Sequence, residues 1–304
     1  MTAYRKISIF TYLFFSAILF SSCDNSLEDD KRYAEEKSIE SYLSAKKLTY
    51  TKSNGVYLVV TKKSYAYEVN AGDTVEFWFK GYTPKTSSSV VFDTNIKSVA
   101  VDAGLDTNVR TFEPVRVIAG KTDLIEGVKR GLLLTRLNQK STIIFTSDLG
   151  FKDEIVESLP DWSSLAYDLE IVYLNGPGIQ QEKQLMSEMD LSGFTPDTSG
   201  LYYKLVVDTS GIRPSDGDVV YGSYQCSLPD NTVVYTVSTD TVALDPASDT
   251  LTSALKIGYT KVSVGGTVEL IAPSPLCYGK NGNDKVNPYQ PLLYTIRLDS
   301  IKSK

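Results

Sequence analysis

No histidine occurs among the 304 residues, and that absence removes much of hydrolytic and metal chemistry at once. Histidine is the commonest general base and transition-metal ligand, so Ser-His-Asp and Cys-His nucleophile systems and most zinc sites go with it. Basic residues are short as well: 31 Lys and Arg against 37 Asp and Glu leave a formal charge of −6. Without a block of Lys and Arg to cover phosphates, nucleic acid is excluded as a partner. Carboxylate chemistry, lysine chemistry or catalysis by a shaped apolar pocket remain, with no cofactor and no metal expected. Cysteine (3) and tryptophan (2) are scarce, yet 42% hydrophobic and 11% aromatic residues suffice for two ordinary cores.

The chain repeats itself. Gly72-Asp-Thr-Val-Glu-Phe-Trp-Phe-Lys-Gly81 reads as a core strand entered from a turn, and Gly217-Asp-Val-Val-Tyr-Gly-Ser-Tyr-Gln-Cys226 has the same layout 145 residues later. Gly55-Val-Tyr57 and Gly200-Leu-Tyr202 keep that offset, whereas Gly131, Leu165 and Tyr167 return as Gly258, Leu292 and Tyr294 at 127. The difference, 145 − 127 = 18 residues, is expected in the polar stretch Ile96–Phe112 of the first unit.

Arg5-Lys6 precede an apolar run, Ile7 to Phe20, that is too short to span a bilayer and suits a signal-peptide core. Phe20-Ser21-Ser22-Cys23 resembles a bacterial lipobox, although Phe stands where Leu is usual. That resemblance implies acylation at Cys23 and attachment to a membrane outside the cytoplasm, read as the outer membrane with its surface-exposed and periplasmic leaflets both open; an ordinary secretory signal with an incidental cysteine is the alternative. Asp24–Asp30 is similar to the acidic surface-export signals of some Gram-negative lipoproteins, or is a solvated tether.

Beyond it, sparse apolar residues (Tyr33, Ile39, Tyr42, Leu43) predict an amphipathic helix over Lys31–Lys47, with a counterpart over Ile179–Met189 and a break at Gly176-Pro177-Gly178. Strands are expected at Val56–Thr61, Thr74–Gly81, Val90–Phe92, Pro114–Ile118, Ser141–Thr146 and Leu165–Leu174. A helix capped by Asp123 should bury Val128, Leu132 and Leu133. The fold class is α+β: two domains, each a curled antiparallel sheet over one short helix and each preceded by an amphipathic helix. The expected boundaries are 1–23 signal, 24–52 tether and helix, 53–175 first domain, 176–198 linker and helix, 199–304 second domain.

The ordered set Gly72-Asp…Phe79-Lys-Gly81, Val91-Phe-Asp93, Val115…Ala119-Gly120, Leu124-Ile-Glu-Gly127, Gly131, Leu137-Asn-Gln-Lys140, Phe145, Asp148-Leu-Gly-Phe151 and Leu165-Ala-Tyr-Asp-Leu-Glu-Ile171 resembles the FKBP-type peptidyl-prolyl isomerases. The second unit retains the closing third of that pattern in Gly258…Gly266, Pro275-Leu-Cys-Tyr-Gly279 and Leu292–Leu298. The resemblance implies rotation of X-Pro bonds in proline-containing polypeptides, chemistry that needs neither nucleophile nor histidine.

Carried over residue by residue, it implies a catalytic set of Phe79, Phe92, Asp93, Ile125, Phe151 and Tyr167. Val115, Leu124 and Val128 complete the pocket, and the Ile125 N–H receives the substrate carbonyl. Phe79 and Phe151 stand where the family commonly has Tyr, and Val128 where a larger aromatic is common. In the second unit the matching positions are Tyr224, Tyr235, Leu255, Tyr278 and Tyr294, with Thr252 in the place of Ile125 and Tyr235-Thr236 in that of Phe92-Asp93. This unit reads as a binding or spacer domain first. Cys226 and Cys277, in an exported chain, are permitted to pair or to remain buried thiols. The whole reads as a lipid-anchored folding helper of the cell envelope; a non-catalytic peptide- or protein-binding surface lipoprotein, or a nutrient- or glycan-capturing one, are the alternatives.

Overall fold

The computed structural model describes residues 10–302 apart from 155, 157, 158, 216 and 244–250, with the backbone alone for 10–27 and 239–243. In chain order the elements are α1 (Phe10–Ala45), β1 (Thr51–Ser53), β2 (Val56–Lys62), β3 (Thr74–Tyr82), β4 (Val91–Thr94), α2 (Lys97–Asp102), β5 (Val115–Ile118), α3 (Glu126–Leu132), β6 (Lys140–Phe145) and β7 (Leu165–Asn175). There follow α4 (Pro177–Ser187), β8 (Thr195–Pro196), β9 (Tyr202–Val207), β10 (Val219–Ser227), β11 (Val233–Ala243), α5 (Ser253–Lys261), β12 (Thr267–Ala272) and β13 (Leu292–Lys302). Single 3₁₀ turns at Ser147–Leu149 and Ser274–Leu276 occupy matching places.

The fold is α+β, and the repeat is visible in the strand order. The first sheet runs β1-β2-β6-β7-β3-β4, with β5 also on β3, and the second runs β8-β9-β12-β13-β10-β11. All pairings within both sheets are antiparallel. The 127-residue offset has a packing cause: a Cβ on Gly131 would lie 2.4 Å from Ile143 Cδ1, and one on Gly258 would lie 2.5 Å from Leu270 Cδ1. Only glycine lets each helix rest this closely on its sheet.

The two sheets differ at the insertion. In the first, β4 pairs with the end of β3 (Lys80↔Thr94, Gly81↔Asp93) and β5 with its start (Thr74↔Ile118, Phe77↔Val115). In the second, the single long strand β11 covers both places, from Ser227↔Val233 to Val219↔Ala243. The extra residues of the first unit thus split one strand into two and loop out between them, carrying α2.

Strand alternation decides what each face buries. Ile143 and Phe145 of β6 face α3 in the main core, while Ile144 faces Tyr57, Val59, Ala166 and the α1 residues Ile39 and Leu43. Burying Ile39 and Leu43 contributes about 1.5–3 kcal/mol each. The predicted helix therefore forms, but it begins earlier, at Phe10, and Tyr33 of the expected stripe is 65% exposed. The side chain of Cys23 and residues 1–9 lie outside the described residues, so the proposed acylation site is not described. Among the described residues no helix is long and apolar enough to cross a membrane.

Asp123 does not cap α3. Ile125 holds the N-cap position without a side-chain cap, and Asp123, its side chain 106% exposed, lies 3.7 Å from Lys129. Leu124 and Ile125 pack against the core from an extended segment, so the helix cannot begin until they are past. Leu133, expected on the buried face, is the C-cap and half-buried.

Candidate functional site

Aromatic rings from β3, β4 and β7 gather in one cluster with Val128 of α3. Tyr167 of β7 lies at the centre: its ring is 6.0 Å from Phe79, 5.7 Å from Phe92 edge-on, and 5.9 Å from Phe145, stacked. Phe151, from the loop after the 3₁₀ turn, meets Phe92 edge-on at 6.3 Å. Val128 is buried among them, while Val115, Leu124 and Ile125 are half-buried against the same cluster. Phe145, part of the family pattern but outside the expected site set, backs Tyr167 with its ring.

The close packing depends on Gly81. A Cβ there would stand 2.9 Å from Phe92 Cζ and 3.0 Å from Tyr167 Cε1, so any larger residue has to displace a ring. Burial pushes the Tyr167 phenol well above its ordinary pKa, and the charge of Asp93 adds to that. The hydroxyl is accordingly a neutral hydrogen-bonding group across the physiological range.

Asp93 sits on the rim, its side chain half exposed, and accepts from the Thr94 N–H at 2.9 Å. Arg110 Nε approaches Asp93 Oδ1 at 3.4 Å, an ion pair without hydrogen-bond alignment, while its other nitrogens donate to the Asp106 carbonyl at 2.8 Å and the Phe92 carbonyl at 3.5 Å. Sequence reasoning missed Arg110 because it lies in the stretch read only as an insertion. Ile125 ends an extended segment and its carbonyl accepts from Val128 and Lys129; its N–H has no acceptor among the described residues. An aromatic cup, a rim carboxylate and an N–H ahead of a helix can together hold a short apolar ring and one carbonyl.

The second unit brings together Tyr224, Leu255 and Tyr294, and beside them Tyr235 and Tyr278, with ring separations of 6.5 Å for Tyr224–Tyr294 and 6.1 Å for Tyr235–Tyr278. The alignment of Tyr235-Thr236 with Phe92-Asp93 needs correction by one residue. Asp93 pairs with Gly81 and Tyr235 with Cys226, and each partner strand has a bulge next to that pair, which leaves Phe92 and Val234 as the extra residues. Tyr235 therefore stands in the place of Asp93, and Val234 in that of Phe92. Where the first unit has Gly81 against a large ring, the second has Cys226, with Val234 in the place of that ring.

Hydroxyls in this second cup are already engaged. Tyr294 lies 3.4 Å from Thr252 Oγ1 and donates to Cys277 Sγ at 3.7 Å; Thr252 in turn accepts from the Leu255 N–H, and Asn283 donates to Tyr235 at 3.0 Å. Both cysteines are free thiols. Burial pushes Cys226 up to about 11 against a hydrogen bond with Tyr294, and pushes Cys277 higher still. Neither thiol is ionised near neutral pH, so neither is poised as a nucleophile.

A family profile described as FKBP-type peptidyl-prolyl cis-trans isomerase matches residues 66–172 and 211–299. The FKBP-type peptidyl-prolyl cis-trans isomerase FkpA of Escherichia coli K12 is 27% identical over 110 residues, 36% of this chain and 41% of FkpA; FkpA from two other E. coli strains aligns equally. The chain thus spans under half the length of these relatives. Among solved structures, a peptidyl-prolyl cis-trans isomerase of Pseudomonas syringae aligns with 43% of this chain and 98% of its own at 22% identity and a TM-score of 0.38. The three FKBP domains of wheat FKBP73 align with 84% of this chain and all of their own at 15% identity and a TM-score of 0.33.

Proposed function

The chain belongs to the FKBP-type peptidyl-prolyl cis-trans isomerase family, and on that premise we propose that its first cup catalyses rotation of X-Pro bonds in polypeptides while its second chiefly binds them. The observation that carries this reading is the set of rings Phe79, Phe92, Phe151 and Tyr167 around Val128, with Asp93 on the rim and the Ile125 N–H at the helix start.

Rotation about a prolyl amide crosses a barrier of about 18–20 kcal/mol set by resonance, and no bond need break. Walling the proline ring with Phe79, Phe92, Phe151 and Tyr167 takes the amide out of water, where the twisted and less polar transition state is relatively favoured. The Ile125 N–H holds the carbonyl of the residue before proline, and the Asp93 carboxylate fixes the electrostatics of the rim. No proton transfer is required, which accords with a chain that has no histidine.

In the second unit Tyr235 replaces the rim acid and the Tyr294 hydroxyl is taken up by Thr252 and Cys277, which favours binding over turnover there. Glycan capture is disfavoured because Trp162, the loop tryptophan, has the Lys31 ammonium 3.6 Å above its ring. We take 53–175 and 199–304 as the two domains, with the lipobox-like segment ending at Cys23 as a lipid anchor that holds both in the cell envelope, at the outer membrane and on either of its faces. Accelerated isomerisation of X-Pro peptides by the fragment beginning after Cys23, in a protease-coupled assay, tests the catalytic reading; a rate equal to the uncatalysed one rejects it.

A further inference from the structure

Each cup has one wall residue, Phe151 or Tyr278, that stands on a loop rather than a strand, and the two loops are built alike. The Ser147 carbonyl accepts from the N–H of Gly150 at 2.9 Å and of Lys152 at 3.1 Å, and the Ser274 carbonyl accepts from Cys277 and Gly279, both at 2.8 Å. Lys152 and Gly279 both adopt positive φ, 51° and 58°. One serine carbonyl thus closes the turn that presents each wall residue.

The remaining polar groups of that serine face the helix preceding its domain. Glu35 of α1 accepts the Ser147 N–H at 2.6 Å on one oxygen and its hydroxyl at 2.5 Å on the other. Glu182 of α4 accepts from the N–H and the hydroxyl of Ser274, both at 2.5 Å, and is fully buried. The same two-point clasp occurs in both units, although the helices share little sequence. Around it α1 makes further ties: Glu35 to the Ser164 hydroxyl at 3.0 Å, Glu28 to Lys152 at 3.2 Å, and Lys31 over Trp162. Lys280, directly after Gly279, pairs with Glu68 of the first unit at 3.3 Å, so the second loop is tied across to the first domain.

We propose that Glu35 and Glu182 are positioning residues that fix Phe151 and Tyr278 in their cups by clasping Ser147 and Ser274, so that each wall is set by the helix outside its domain. A carboxylate with both oxygens occupied by one serine allows a single loop orientation, because rotating the loop breaks two charge-assisted bonds together. The inference rests on the isomerase reading only for its kinetic consequence.

The test uses the full chain after Cys23, with hydrogen exchange followed by mass spectrometry and X-Pro isomerisation measured in parallel. Glu35→Ala is expected to speed exchange over residues 147–152 about tenfold while leaving 274–279 unchanged, and Glu182→Ala to do the reverse. Glu35→Gln should restore protection to within about threefold, since its carbonyl accepts the N–H and its amide donates to a rotated hydroxyl. For Glu35→Ala, KM should rise more than kcat falls. Ser147→Ala, which deletes only the hydroxyl contact, gives a smaller rise in the same segment and serves if Glu35→Ala does not fold. Unchanged exchange in both loops, or a rise spread evenly over both domains, overturns the proposal. Loosened loops in a protein with no isomerase activity would leave the clasp standing and reject the catalytic reading instead.

Discussion

Gly81→Ala puts a methyl group where the structure has no room, and the second repeat supplies its remedy. The added Cβ would lie 2.9 Å from Phe92 Cζ and 3.0 Å from Tyr167 Cε1, so at least one ring must turn or the strands must part. Overpacking of this kind costs about 1–3 kcal/mol. At the matching place the second unit carries Cys226, larger than alanine, and accommodates it by having Val234 in the place of Phe92. Phe92→Val alone opens a cavity and should cost less than the roughly 3–5 kcal/mol of a Phe→Ala change. The double variant should be more stable than the two single costs added together predict, by a coupling of about 0.5–3 kcal/mol. Urea unfolding followed by tryptophan fluorescence is a suitable assay because Trp78 lies on the same strand, β3, three residues before Gly81. Strictly additive costs, or a neutral Gly81→Ala, would refute the account of why this strand carries glycine at position 81.

Three further outcomes are expected. Phe151→Tyr should raise the activity of the first cup by a few-fold, as one added hydroxyl donor contributes about 1 kcal/mol to binding a carbonyl; a fall in kcat/KM would show that this ring acts only as an apolar wall. Burial works against ionisation of Asp197, but hydrogen bonds from Lys261 and Ser199 outweigh it and hold the carboxyl at about 2. Because the folded value is depressed, the stability it contributes is present above about pH 4 and is lost as pH falls towards 2. Asp197→Asn should therefore cost at most about 2 kcal/mol at neutral pH and flatten the acid limb of a stability–pH curve, whereas an unchanged limb would contradict it. Labelled palmitate should enter the wild-type protein and not Cys23→Ala; label persisting in the variant would remove the proposed anchor.

The repeat and most strands were legible because glycines and alternating apolar residues recur at fixed offsets, and sheets impose that periodicity directly. What was missed lies where local pattern and three-dimensional placement separate. The bulges beside Gly81 and Cys226 shift the pairing by one residue, which moved Tyr235 from the place of Phe92 to that of Asp93. Asp123 has the chemistry of an N-cap, but Leu124 and Ile125 are drawn into the core and delay the helix. Arg110 lies in a polar loop, and only folding brings it back to Asp93. The Glu35–Ser147 and Glu182–Ser274 pairs span 112 and 92 residues. Their signal was the recurrence of a glutamate in each leading helix and a serine in each late loop, a coincidence of residue types that periodicity does not reveal.

Which cup turns over substrate is settled most directly in the intact chain by disabling each in turn. Protease-coupled isomerisation of an X-Pro peptide should lose most of its catalysed rate in Asp93→Ala, more in Phe92→Ala, and little in Tyr294→Phe. A catalysed rate that survives Phe92→Ala in a folded protein and disappears in Tyr294→Phe would place the chemistry in the second domain and contradict the account.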